Sequence, residues 1–282
     1  MVRIMADIAA DIPQEFVKEH NMKIIPFYIN IGEESILADI NYAPEEFYEL
    51  VKQSELVPKT SQCPPAMVEE YFREAAKEGD SVIYVSISSN ASGTNNTANM
   101  IASQLNEEGL DITVVDSKSF SMAIGKAVMD AVLMAESGAS KEEIVSFLNE
   151  AYERDTAYFI VDDLHYLKKG GRIKASSAII GDLLDIKPVL FINEGLVEVY
   201  AKVRGTKKAI SKLVDEVAEK MDDPENGDII VLHADAKDKA DIMVKFLEKK
   251  FNSKNITVLK VGPIITAHAG VGVMGIHFKH KK

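Results

Sequence analysis

Apolar positions in the first half of the chain follow two alternating rhythms: short continuous runs, and stripes spaced three or four residues apart. Val2 to Ala6 is a run and reads as a strand. Pro13 to Glu19 reads as a helix opened by a proline, which the first helical position tolerates. Lys23 to Ile31 reads as one strand, edge or irregular because Pro26 lacks a ladder donor. Pro44 to Gln53 and Pro65 to Glu78 read as helices, the second with Met67, Tyr71, Phe72, Ala75 and Ala76 along one face. A strand over 81–87, a helix from about Asn96 to Glu107 and a strand over 112–115 follow. Met122 to Glu136 is apolar nearly all round, which predicts a buried helix. Ser140 and Glu143 have capping-box spacing for a helix running to about Glu153. This β-α alternation predicts a parallel sheet with helices on both faces.

The second half changes rhythm. Ala157 to Val161 reads as a strand, followed by a basic, glycine-containing segment from Leu164 to Lys174. Ile186 to Ile192 and Leu196 to Val203 flank Asn193-Glu194-Gly195, a hairpin signal. Two amphipathic helices, 206–221 and 236–251, accompany strands at 229–233, 256–261 and about 273–278. The expected fold class is α/β: an N-terminal α/β domain, 1–155, with a mostly parallel sheet, and a C-terminal α+β domain, 156–282, with a mixed sheet.

A length of 282 residues, 46% hydrophobic content and 27% charged residues fit an ordinary globular protein large enough for two domains. A net charge of −12 argues against nucleic-acid or anionic-membrane binding, which needs a basic face. A single cysteine, Cys63, excludes an internal disulfide and fits a reducing compartment. The N-terminal apolar run is too short for a signal peptide, and 261–277 is broken by glycines and His268. The expectation is a cytoplasmic protein without stable membrane insertion.

The chemistry concentrates at strand-to-helix turns. Ser88-Ser89-Asn90-Ala91-Ser92-Gly93-Thr94 offers hydroxyls and backbone N–H groups in front of a helix dipole, a setting that receives an anion. It lacks the G-x-S-x-G pattern of a nucleophile elbow. Thr60-Ser61-Gln62 precedes the Pro65 helix and either caps it or binds a ligand, since both uses share one geometry. Asp7, Asp11 and Asp116 follow strands and read as loop caps ahead of a metal site; no metal-ligand spacing supports a metal. Gly270-Val271-Gly272-Val273-Met274-Gly275 spells G-x-G-x-x-G. Only seven residues follow it, leaving no room for the helix and acidic residue of a dinucleotide site. His268 lies in an uncharged loop whose neighbours look too small to bury it. Arg204 ends the hairpin's second strand. Lys168, Lys169, Arg172 and Lys174 surround two glycines and read as a mobile basic loop suited to an acidic or phosphorylated partner.

In order along the chain, these motifs resemble the DegV family of bacterial fatty-acid-binding proteins. The resemblance runs through Asp7 to Asp11, Thr60-Ser61-Gln62, Ser88 to Thr94, Val115-Asp116-Ser117, Leu167 to Ile173, Ile186 to Leu190, Arg204 and Gly262 to Gly275. It implies a long-chain fatty acid between two domains, with no cofactor. It further implies that Thr60 and Ser92 hold the carboxylate, with Ser61, Gly93, Thr94, Arg204 and His268 near the head group. A separate cytosolic fatty acid kinase is implied as partner, so the chain is expected to be a carrier and not an enzyme. The chain departs from the usual pattern at Ile8, at Cys63-Pro64 and at Val271, positions that spare the implied carboxylate-holding pair. The alternative is a stand-alone lipid hydrolase or phosphotransferase using Ser92 and His268. Helix 122–136 and the segment Ile179 to Leu184 are candidate walls for the acyl chain.

Overall fold

The computed structural model describes residues 1–77, 79–162, 164–175, 186–251 and 255–281. The chain forms two compact units, Met1–Tyr42 with Thr60–Glu153, and Ala43–Lys59 with Arg154–Lys282. The sequence suggested an uninterrupted N-terminal domain; here residues 43–59 group with the C-terminal unit.

Strand β1 (Val2–Asp7) leads through a short 3-10 turn, Ile8–Ala10, and helix α1 (Gln14–Glu19) to β2 (Lys23–Ile25). Pro26 then ends pairing, and the expected single strand becomes two. β2 joins β1, whereas β3 (Phe27–Ile31) pairs antiparallel with β4 (Glu34–Ala38) in a different sheet. A proline cannot donate to a ladder, so the chain changes sheets at it. Helix α2 (Pro44–Gln53) belongs to the other unit. Strand β5 (Lys59–Ser61) then completes a three-stranded sheet of order β4-β3-β5.

Helix α3 (Pro65–Ala76), β6 (Ser81–Ser86), α4 (Thr94–Glu107), β7 (Asp111–Asp116), α5 (Met122–Glu136) and α6 (Lys141–Arg154) follow. The main sheet has order β2-β1-β6-β7, parallel throughout, as the alternation predicted. Tyr84 in β6 is fully buried edge-to-face against Phe72 of α3, ring centroids 5.4 Å apart. The capping box of α6 is present: the Glu143 amide donates to Ser140 Oγ at 3.2 Å and the Ser140 amide to Glu143 Oε2 at 2.8 Å. Helix α5 buries Met122, Ala123, Ile124, Ala127, Val128, Ala131 and Val132, while Leu133 is 48% exposed, so it is not buried all round as expected.

In the second unit β8 (Asp155–Ile160) precedes α7 (His165–Gly170). The hairpin β9 (Ile186–Asn193) and β10 (Leu196–Arg204) turns at Glu194 and Gly195, both at positive φ as a tight two-residue turn requires. Helix α8 (Thr206–Lys220), β11 (Ile229–His233), α9 (Lys237–Phe251), β12 (Ile256–Lys260), α10 (Pro263–Ala269) and β13 (Met274–Lys279) complete it. Its sheet has order β10-β9-β8-β13-β11-β12, with β11 and β12 parallel and the other pairs antiparallel, the mixed sheet expected. The buried stripes Ala209, Ile210, Leu213, Val214, Val217 of α8 and Ala240, Met243, Leu247, Phe251 of α9 share one core with Tyr158, Ile276 and Phe278. Candidate wall residues 179–184 lie outside the described residues.

The glycines of G-x-G-x-x-G each have a packing reason. Gly270 and Gly272 take φ of 82° and 92°, and a Cβ at either would collide with Tyr166 or Asp162. Gly275 sits in β13 opposite Phe159, whose Cβ a new methyl would meet at 2.8 Å. Gly275→Ala should therefore lower stability by about 1–3 kcal/mol, read as a lower denaturant midpoint at unchanged slope. An unchanged midpoint would mean that the Phe159 strand gives way at no cost.

Candidate functional site

In the parallel sheet, β1 is flanked by β2 on one side and β6 on the other, so the strand order reverses between β1 and β6. Crevices beyond the carboxyl ends of strands at such a reversal are where α/β sheets bind ligands. The Ser88–Thr94 turn leaves β6 at that edge. Its shape is set from below by two aspartates, which act as the caps anticipated. Asp7 accepts from the Ile87 amide at 2.7 Å, the Ala9 amide at 3.1 Å and the Tyr84 hydroxyl at 3.2 Å. Asp116 at the end of β7 accepts from the Ser89 amide and hydroxyl at 3.1 and 2.6 Å, and from the Lys118 amide at 3.0 Å. The Ser88 carbonyl then accepts from the Ala91 and Ser92 amides, and the Ser88 hydroxyl from the Asn90 amide.

Once those bonds are made, Ser92, Gly93 and Thr94 form the outer end of the turn. The Ser92 and Thr94 hydroxyls lie 2.8 Å apart, and the Thr94 amide donates to Ser92 Oγ at 3.3 Å. Thr94 is 2% exposed and Ser92 half-buried. Either hydroxyl can donate in that pair, which leaves one of the two protons for an outside acceptor. Ser92 is thus bonded to a hydroxyl and an amide, neither of which is a base.

Thr60 and Ser61 lie in β5, a strand that the sequence pattern does not mark. They do not cap α3: its N-cap is Pro64, with no side-chain cap bond. Thr60 is half-buried; Ser61 is exposed and its hydroxyl accepts from Asn30 Nδ2 at 3.0 Å. Gln62 escaped notice as a functional residue. Its Nε2 donates to Thr97 Oγ1 at 3.0 Å, and its Oε1 lies over Gly93. The segment bearing Thr60 is thereby tied to the turn bearing Ser92. Cys63 is buried, and burial pushes its thiol up to about 11, which opposes a nucleophilic role.

The remaining expected residues belong to the second unit. His268 lies in helix α10, correcting the loop expected there, and it is half-buried. A Cβ at Gly170 would stand 2.5 Å from His268 Nδ1. Burial, then the charge of Arg172, hold the imidazole down at about 4, so it is neutral near pH 7. Arg204 ends β10, exposed, opposite Ile186. The basic segment is more ordered than the mobile loop anticipated. Lys168 and Lys169 are in the last turn of α7, and Gly171 caps it in the left-handed conformation. Arg172 donates to the Gly170 carbonyl, Ile173 bridges to Val197, and Lys174 pairs with Glu198 at 2.8 Å. No group of three or more His, Cys, Asp or Glu suited to a metal ion occurs among the described residues. No helix among them is long and apolar enough to cross a membrane.

The family model described as "Uncharacterised protein, DegV family" matches residues 1–281. A DegV domain-containing protein of Clostridium perfringens is 32% identical over 280 residues, covering 98% of this chain and 96% of that protein. Among solved structures, a DegV lipid-binding protein of Thermotoga maritima superposes with a TM-score of 0.88 at 30% identity, over 100% of this chain and 99% of the other. DegV of Bacillus subtilis, a fatty-acid-binding protein, matches with a TM-score of 0.86 at 31% identity, over 99% of each chain.

Asp7 supplies a test of this geometry. Burial, only partly offset by its three hydrogen bonds, raises its carboxyl from 3.8 to about 7. Between those values the folded chain holds a proton that the unfolded chain has released, so rising pH weakens the fold. The stability of the native chain relative to Asp7→Asn should fall from about pH 4 to about pH 7 and level off above it, in urea unfolding across that range. A flat difference would mean that Asp7 ionises normally.

Proposed function

Because the chain belongs to the DegV family, we propose that it binds a long-chain fatty acid, with the carboxylate held by Thr60 and Ser92. The observation that carries the proposal is the neutral pair of hydroxyl-bearing segments, the Ser92–Thr94 turn and the Thr60 strand, joined through Gln62. Neutral donors suit this ligand because the tail can supply the affinity. At about 0.8 kcal/mol per buried methylene, a tail of roughly 14 is worth on the order of 11 kcal/mol gross. The head then needs only to be satisfied. A contribution of His268 and Arg204 to head-group binding, with Ser61, Gly93 and Thr94 beside it, completes the proposal.

Held by hydroxyls, a carboxylate keeps the electron density needed to attack a phosphoryl group. The chain is accordingly read as a cytoplasmic carrier that presents its acyl group to a separate kinase, which makes an acyl-phosphate. The cations of α7 and its exit, Lys168, Lys169, Arg172 and Lys174, are the proposed docking surface. Arg172 and Lys174 also make contacts within the unit, so Lys169 is the cleanest position to test, with Lys168 beside it in the last turn of α7. The hydrolase alternative gains nothing from Ser92, whose partners are a hydroxyl and an amide.

Mass spectrometry of denatured, purified protein should show a co-purified fatty acid, or one taken up on incubation; neither would sink the reading. Thr60→Ala and Ser92→Ala should each weaken binding by about 1–3 kcal/mol, measured by titration of the delipidated protein. Lys168→Glu with Lys169→Glu should leave lipid loading intact and slow acyl-phosphate formation by the partner kinase. Undiminished phosphorylation would remove the docking role.

A further inference from the structure

We propose that Gln62 is a positioning residue for head-group binding, its side-chain amide clasping the first turn of α4 so that the Thr60 strand and the Ser92 turn keep a fixed separation. The inference rests on the reading of Thr60 and Ser92 given above.

Strand β5 is three residues long and stands at the edge of its sheet. The Asn30–Ser61 bond holds its last residue, and after Ser61 the chain leaves the ladder. Gln62 is exposed and could leave its amide in water. Instead its Nε2 donates to Thr97 Oγ1 at 3.0 Å, and its Oε1 lies close enough to Gly93 that a Cβ there would stand 2.9 Å away. Thr97 and Gly93 are themselves joined, the Thr97 amide donating to the Gly93 carbonyl at 3.1 Å. One side chain thus spans the turn of helix that follows Ser92 directly.

Gly93 supplies a second line. Its φ of −70° and ψ of −4° are open to any L residue, so the backbone does not ask for glycine there. The close approach of Gln62 does. A long, flexible side chain gives up rotamer freedom to hold this pose. The return is a fixed relation between two hydroxyls that must meet one carboxylate, where a small misplacement is felt in both bonds.

The test uses the full-length delipidated chain and palmitate carrying ¹³C at the carboxyl carbon. Gln62→Ala and Thr97→Val should each raise Kd by about five- to tenfold and move the bound carboxyl resonance, with Tm unchanged because Gln62 is exposed and Val keeps the shape of the half-buried Thr97. The double variant should be no weaker than either single one, since both remove the same clasp. Gly93→Ala should reproduce the effect by displacing the amide. A fall in Tm matching the loss of affinity, additive single effects, or unchanged Kd alongside weakened Thr60→Ala and Ser92→Ala would overturn the clasp. If Thr60→Ala and Ser92→Ala also bind normally, the head-group reading fails and the clasp falls with it.

Discussion

The Asp7 carboxylate joins the ends of β1 and β6 where the strand order reverses, and the rest of the candidate site depends on that joint. Two parallel strands leaving a sheet side by side expose backbone donors with no ladder partner. Asp7 takes the Ile87 amide from one strand exit, the Ala9 amide from the other and the Tyr84 hydroxyl from inside the sheet. The burial that raises its carboxyl to about 7 is the cost of this arrangement. Asp116 repeats the device one strand further on, through Ser89. The acidic groups at this edge are therefore turned inward and used up in shaping turns, and hydroxyls are what remain at the outer end.

The second unit shows a related economy. Its glycine-rich C-terminal motif makes room for Tyr166, Asp162 and Phe159, each packed where a Cβ would otherwise stand. Asp162 is drawn in with Lys187 and Lys239. Burial raises its carboxyl, but the two lysines outweigh that and hold it below the usual range. Gly170 approaches the His268 ring in the same way. A motif that spells a cofactor fingerprint is here a record of tight packing.

How much of this was legible in the sequence depended on whether an element's pattern is local. Helices 44–53 and 122–136 and the hairpin around Asn193-Glu194-Gly195 were readable because proline, periodicity and turn chemistry lie within the element itself. Strands β4 and β5 were not. Glu34–Ala38 is mostly exposed, and Lys59–Ser61 is three polar residues placed by the sheet it joins. Helix α10 was missed because its seven residues include Pro263, Ile264, Thr266, Ala267 and Ala269, all buried, so no polar face marks it. Pro26 marked an irregularity correctly, but not that the chain changes sheets there. At the site, Ser92 and Thr60 stood out as hydroxyls in turn-forming company. Gln62 did not, because its importance is a contact with residues 31 to 35 positions away.

The hydroxyl arrangement also bears on which head groups fit. Ser92 and Thr94 have two protons between them, and one is consumed in their mutual bond. Either hydroxyl can be the donor in that bond, so one of the two protons is left for a bound group. On the reading proposed above, that proton would go to a carboxylate oxygen, and a charged acceptor makes such a bond roughly twice as strong as a neutral one. A neutral ester offers weaker acceptors, and an alcohol offers one oxygen and a proton of its own, for which the pair must supply an acceptor. Under that reading, discrimination among lipid heads falls to a few charge-assisted bonds of about 1.5–3 kcal/mol each, while the tail sets overall affinity. On that reading a site of hydroxyls would select the acid without neutralising it, and the acid would stay in the state that a phosphoryl acceptor must be in.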